Sequence, residues 1–183
     1  MENFLSIIVS GFLVSNCLVS TCSGIDVSVN KTKDLKNASI YSLVIFCVLL
    51  ASSITLFVTN KILEYFGQAN LLFLIAIVCI AGFVQIAEFV TKKVAPRFYQ
   101  EIAYFIPILA CNLFLLLLST SFSTLSFAEM LLNVVANGVG IFSVLGIIAG
   151  IKNNYFFKKD GAVNPNISAL IVVFVLIIIW TAF

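Results

Sequence analysis

The sequence predicts an all-α integral membrane protein of six transmembrane helices, arranged as two inverted three-helix repeats, with helices 1 and 4 interrupted. Three observations predict it. Of 183 residues, 62% are hydrophobic and 10% are charged, and the mean hydropathy is +1.17. A soluble domain averages about 45–50% apolar and about 25% charged, so a globule of this size has no interior large enough for the excess. Six apolar stretches, each near the roughly 20 residues that a spanning helix needs, nearly exhaust the chain. Nine of the ten basic residues fall in alternate loops between those stretches.

The chain therefore reads as a single transmembrane domain, residues 1–183, with repeat halves of about 1–95 and 96–183. Too little remains outside the lipid for an extramembrane catalytic domain. The net charge of +2 is too small to suggest nucleic-acid binding. The absence of histidine excludes histidine-based triads, histidine zinc sites and haem ligation by histidine.

The first stretch, Phe4–Val19, carries Glu2 ahead of it and no basic n-region, so a cleaved signal peptide is not expected. Ser23-Gly24 ends it, because glycine readily leaves the helical conformation. The second stretch is Ser39–Val58 and the third Leu71–Val90. Ala95-Pro96 separates the third from the fourth, since proline disfavours helix in the residue before it. The fourth, Ile102–Ser119, contains Pro107, which frees a carbonyl and breaks or kinks the helix. The fifth is Met130–Ile151. The sixth, Ile167–Phe183, is uncharged and has Trp180 near its end, which suits an interfacial anchor or a packed aromatic equally.

Lys31, Lys33 and Lys36 lie between stretches one and two. Lys92, Lys93 and Arg97 lie between three and four, and Lys152, Lys158 and Lys159 between five and six. Lys61 stands alone on the other side. Basic loops stay in the cytoplasm, which puts both termini outside. Interrupted helices in matching positions of two halves point to an inverted repeat, and three spans per half make the halves antiparallel. Leu13-Val14-Ser15-Asn16-Cys17 and Leu109-Ala110-Cys111-Asn112-Leu113 agree weakly in the two places.

The polar residues of the spans have a plain and a sharper reading. Cys17, Cys22, Cys47, Cys79 and Cys111 lie in or beside apolar stretches without a CxxC motif. For Cys47 and Cys79 the expectation is a small, buried hydrophobe. Cys17, Cys22 and Cys111 flank the helix breaks, where thiolates can hold an iron–sulfur cluster, normally with four ligands. Asn16 and Asn112 need hydrogen bonds that lipid does not supply, as interhelical glue or as supports of a polar midplane site. Glu88 lies near the cytoplasmic end of the third stretch. It pairs with Lys92 at i,i+4, or it handles a transported ion. Ala136, Gly138, Gly140, Gly146, Ala149 and Gly150 mark a packing face on the fifth stretch, within the chain or against another subunit, and Gly146 with Gly150 forms a GxxxG.

Several of these segments resemble one family. Leu13-Val14-Ser15-Asn16, then Ser23-Gly24-Ile25 and a lysine-bearing loop to Leu35, is similar to its first-span region. Val84-Gln85-Ile86-Ala87-Glu88, then Lys92, Pro96, Tyr99, Phe105-Ile106-Pro107-Ile108 and Asn112, looks like its central signature. Ala149-Gly150-Ile151-Lys152 resembles its segment after span five. The family comprises the small A and E membrane subunits of the Rnf electron-transport complex and the D and E subunits of the sodium-pumping NADH:quinone reductase (Nqr). In orientation the chain looks most like the A member of the first complex and the E member of the second.

The resemblance implies a multi-pass protein of the bacterial inner (cytoplasmic) membrane. Its partners would be a homologous membrane subunit of opposite topology, the other Rnf- or Nqr-type subunits, and the lipid bilayer. It implies a [2Fe–2S] cluster shared with that homologous partner, two cysteines from each chain, which passes electrons while the complex moves sodium ions or protons. This chain departs from the pattern at both ligand positions, where Asp26 and Leu113 stand. Cys22 lies four residues before the first and Cys111 two before the second. On a helix a two-residue shift turns a side chain by about 200°, so loss of the ligands fits better than their substitution by Cys22 and Cys111. The expected function is a membrane subunit of an ion-translocating oxidoreductase, a scaffold and candidate electron conduit with no substrate active site of its own. The alternative is a small inverted-repeat transporter or channel-like protein without redox chemistry, with Asn16, Asn112 and Glu88 along its path.

Overall fold

The computed structural model describes residues 35–94, 96–103, 113–153, 171 and 175. They form α1 (Leu35–Tyr65), a 3-10 turn (Ala69–Leu71), α2 (Leu72–Val94), α3 (Pro96–Ile102), α4 (Leu113–Phe122) and α5 (Phe127–Asn153), with no strand among them. Three segments are long and apolar enough to cross a membrane: Ala38–Tyr65, Ala69–Val94 and Phe127–Gly150. They match the second, third and fifth apolar stretches. The first stretch, the break at Gly24, Pro107 and most of the sixth stretch lie outside the described residues, and with them the expected six-span inverted repeat.

The helices outrun the apolar stretches, because a helix ends where its backbone is capped and not where hydropathy falls. α1 continues past Val58 to Tyr65. There Gly67 turns into the left-handed region at φ +68. The Gly67 N–H donates to the Glu64 carbonyl at 3.1 Å and the Gln68 N–H to the Leu63 carbonyl at 2.9 Å. This is a Schellman motif, which occupies carbonyls that the last helical turn leaves unbonded. α5 begins with a capping box. The Ser126 hydroxyl donates to the Glu129 carboxylate at 2.8 Å, and the Ser126 N–H donates to the same oxygen at 3.2 Å. The Glu129 N–H donates back to the Ser126 hydroxyl at 3.4 Å. At Ala95-Pro96 the expected break takes a specific form: α2 ends at Val94 and Pro96 opens α3. Proline suits the first helical position, where its missing N–H has no intrahelical partner to lose.

The chain divides into two compact units, and both cuts fall within helices. One unit is Val44–Val134; the other joins Met1–Leu43 to Val135–Phe183. In the first, α2 packs against α4 and α3, and the Phe57 and Phe127 rings meet at a tilt of 59°, 5.6 Å between centroids. Leu49, Leu56, Ile80, Leu115 and Met130 are fully buried there. In the second, Ile141, Leu145 and Ile148 recur at helical spacing on the buried side of α5.

Hydroxyls inside the spans mostly bond their own helix. Thr55, Thr59, Thr91, Thr120 and Ser143 each donate to the carbonyl four residues earlier. In hydrocarbon this is the partner always within reach. Two links reach beyond the helix instead. The Ser52 and Ser119 hydroxyls meet at 2.9 Å between α1 and α4, and the Asn60 amide donates to the Ser123 carbonyl just past α4 at 3.3 Å, as well as to the Glu64 carboxylate on its own helix at 2.8 Å.

Candidate functional site

The site begins with the one acidic residue of α2, Glu88, half-buried one and a half turns before the helix ends. The chain reverses at Ala95-Pro96, and α3 packs back on α2. That reversal brings Tyr99 over Glu88, and its hydroxyl donates to the Glu88 carboxylate (Oε1) at 2.6 Å. A phenol on a carboxylate is a short, charge-assisted bond. The hydrogen bond to Glu88, with lesser contributions from desolvation and from the Glu88 charge, raises the Tyr99 phenol above its ordinary 10.0. The Lys92 ammonium lies 5.5 Å from the centroid of the Tyr99 ring, within reach of a cation–π contact.

This corrects the expected Glu88–Lys92 pair. Tyr99 takes the Glu88 carboxylate, and Lys92 sits on the tyrosine's face. The ion pair found among the described residues is Lys61–Glu64, at 3.5 Å with both side chains about half exposed, an arrangement of little energetic worth. The constellation is thus a fixed carboxylate inside the basic end of a span, with a hydroxyl and an ammonium beside it. It can accept a proton or a cation; it contains no nucleophile–base pair.

One further expectation changes. Cys47 is exposed and Cys79 partly exposed, so neither is the buried hydrophobe the sequence suggests. At Gly146 and Gly150 an added Cβ meets no described residue within 4 Å, so within the described residues nothing packs on the GxxxG, and the expectation of a partner helix there stays open. Of the small residues on α5, it is Ala136, Gly138, Gly140 and Ala149 that are buried. Asn16, Cys17, Cys22, Asp26, Cys111 and Asn112 lie outside the described residues.

Sequence reasoning passed over Tyr99 as the partner of Glu88, and over the buried polar side of α1. The second carried a signal: Ser52, Ser53 and Asn60 repeat at helical spacing within an apolar span. The first carried none, because residues eleven apart meet only if the chain folds back between them.

An iron–sulfur cluster needs thiolates, or other electron-pair donors, that converge on its iron atoms. Among the described residues no three cysteine or acidic side chains converge on a point where a metal would sit. Leu113, at one position where the resemblance expects a cysteine, opens α4 and has no electron pair to donate. Cys22, Asp26 and Cys111, the other positions that bear on a cluster, lie outside the described residues.

Compared with known proteins, residues 4–183 match the family described as Rnf-Nqr subunit, membrane protein. The chain is also 29% identical over 154 residues to the A subunit of the ion-translocating oxidoreductase complex of Methanosarcina acetivorans, covering 82% of this chain and 77% of that one. With the match running through nearly every residue, and with the apolar spans that such a protein requires, the chain belongs to the Rnf-Nqr family of membrane subunits.

Proposed function

We propose that this protein is a scaffold subunit of an Rnf- or Nqr-type ion-translocating oxidoreductase, and that Glu88 receives the translocated cation at the basic end of α2. The observation that carries the reading is the family match over residues 4–183. An ionisable group inside a span is costly and is by default a functional candidate. Glu88 is such a group, and the Tyr99 hydroxyl holds it in one orientation. The basic residues at the start of α1 and the end of α2 support a cytoplasmic placement of this end, with both termini outside. An electron conduit in this chain would have to be built from Cys22 and Cys111 with thiolates of a partner subunit of opposite topology.

The test is purification of the tagged chain in mild detergent, with flavin and iron measured on the same sample. Flavin-bearing subunits are expected to co-purify, and Glu88→Gln is expected to lower ion movement per electron transferred without lowering their yield. Ion transport by the isolated chain in liposomes, with no other subunit co-purifying, would refute the proposal in favour of an autonomous transporter.

A further inference from the structure

The last turns of α1 hold a group of oxygens with too few donors. Asn60 is 3% exposed and lies inside the apolar span Ala38–Tyr65. Its amide nitrogen donates to the Glu64 carboxylate (Oε1) at 2.8 Å and to the Ser123 carbonyl at 3.3 Å. The second is long for an N–H···O bond, which centres on about 2.9–3.0 Å. Glu64, four residues on, shares a face of α1 with Asn60. Ser123 directly follows α4, where carbonyls lack an intrahelical donor. The second Glu64 oxygen (Oε2) has the Lys61 ammonium at 3.5 Å, and that ammonium also lies 5.9 Å from the centroid of the Phe57 ring. Among the described residues the Asn60 carboxamide oxygen accepts no hydrogen bond.

Interhelical glue does not account for this set. A bond from Asn60 to Ser123 suffices to tie α1 to the end of α4, and Glu64, half exposed, can face water without a buried amide. Both Glu64 oxygens, the Ser123 carbonyl and the Asn60 carboxamide oxygen share one amide nitrogen and one distant ammonium. What such a group lacks is positive charge. Asn60 is its adaptable member, because the carboxamide nitrogen and oxygen hang on one carbon and half a turn exchanges donor for acceptor. As it stands, the nitrogen fills the space between Glu64 and Ser123; turned, it puts an oxygen there beside a carboxylate and a carbonyl. Oxygens of these three kinds are the ligands of hard cations. A single carboxylate balances a single positive charge.

We propose that Glu64, Asn60 and the Ser123 carbonyl form a binding site for an alkali cation, with the Lys61 ammonium as its competitor for the Glu64 carboxylate. The site lies at the opposite end of the α1–α2 hairpin from Glu88. Gly67 turns the chain just after Glu64, Leu72 opens α2 and Glu88 comes sixteen residues later. That is about 24 Å along the axis at 1.5 Å per residue, against a hydrocarbon core of about 30 Å. The site stands on its own ligands. Its use, as the place where an ion received at Glu88 leaves the membrane, rests on the function proposed above.

The test follows broadening of the sodium NMR line by the purified full chain in mild detergent, with choline chloride holding ionic strength constant. Co-purification of other subunits is scored on the same sample. Saturable broadening by wild type is the expected result. Glu64→Gln keeps an oxygen for the Asn60 amide, and circular dichroism checks that the fold is retained. It is expected to weaken this binding roughly tenfold or more, the loss of a charged ligand. Lys61→Ala, at an exposed position, is expected to tighten it roughly 1.5- to fivefold by removing the competing ammonium. A cluster that only ties helices together shows neither change.

Broadening that Glu64→Gln leaves unchanged, or that Lys61→Ala weakens, overturns the proposal. If Glu88→Gln abolishes the saturable broadening and Glu64→Gln does not, this site is wrong and the functional reading stands. If Glu64→Gln removes the broadening while no other subunit co-purifies, the site stands and the functional reading falls.

Discussion

Two adjacent serines on α1 should respond to the same substitution with opposite signs. Ser52 and Ser53 are both fully buried. The Ser52 hydroxyl donates its one proton to the Leu49 carbonyl at 3.0 Å, so in the 2.9 Å contact with Ser119 it accepts and Ser119 donates. The Ser53 hydroxyl has no partner among the described residues. Ser52→Ala removes the link between α1 and α4. Interhelical hydrogen bonds in membranes average about 0.6 kcal/mol and reach about 1.7, and Ser119 is left to turn to its own helix, so a loss of about 1 kcal/mol follows. Ser53→Ala removes a desolvated group that gains nothing in return. Such a group costs about 1–3 kcal/mol, and at the low end the variant gains about 1 kcal/mol. The change in helix propensity is the same at both positions and cancels in the comparison. The difference of about 2 kcal/mol corresponds to roughly 4–8 °C between the two Tm values for a chain of this length. Thermal unfolding of both variants in one detergent, followed by far-UV circular dichroism, measures it. If Ser53→Ala proves as destabilising as Ser52→Ala, the Ser53 hydroxyl has a partner in the folded protein and the reasoning is refuted.

Three further outcomes are expected. The raised Tyr99 phenol makes the Tyr99–Glu88 link fully effective below pH 10.0, the ordinary tyrosine value, and lost as pH climbs through the raised one; phenolate absorbance of wild type minus Tyr99→Phe should show the late titration, and Glu88→Ala should move it down. Gly67→Ala should cost roughly 1–2 kcal/mol, a purely backbone effect because its φ is +68 and nothing lies within 4 Å of the added Cβ; Gly67→Asn should cost less, and an equal loss in both would point to packing. Ser126→Ala should cost about 1 kcal/mol by removing the cap of α5, whereas Glu129→Gln, which still completes a capping box, should cost less in the same unfolding assay.

The membrane class and the existence of three of the spans were legible before any coordinates, because apolar length is a one-dimensional property: a window around Val44, Ile80 or Ile141 is enough. The family was legible too, from strings such as Val84–Glu88 and Phe105–Ile108 read in order. Helix ends were less so. Gly67 and Ser126 carry clear capping chemistry, but the apolar runs on either side of them draw the eye to a hydropathy edge several residues away.

Composition, charge placement and residue order by themselves determined that this chain lives in a bilayer, that it belongs with the Rnf-Nqr membrane subunits, and that Glu88 is the acidic group of the third apolar stretch. Only the tertiary structure decided what that carboxylate touches. Lys92, four residues on, is its nearest charged neighbour in sequence, yet the reversal at Pro96 delivers the Tyr99 hydroxyl to Glu88 and leaves Lys92 over the ring. The same holds for Ser52 and Ser119, sixty-seven residues apart. Burial of apolar surface has no preferred direction, so it can be summed along a chain. A hydrogen bond has a length and an angle, and these exist only once helices have taken their rotation and tilt.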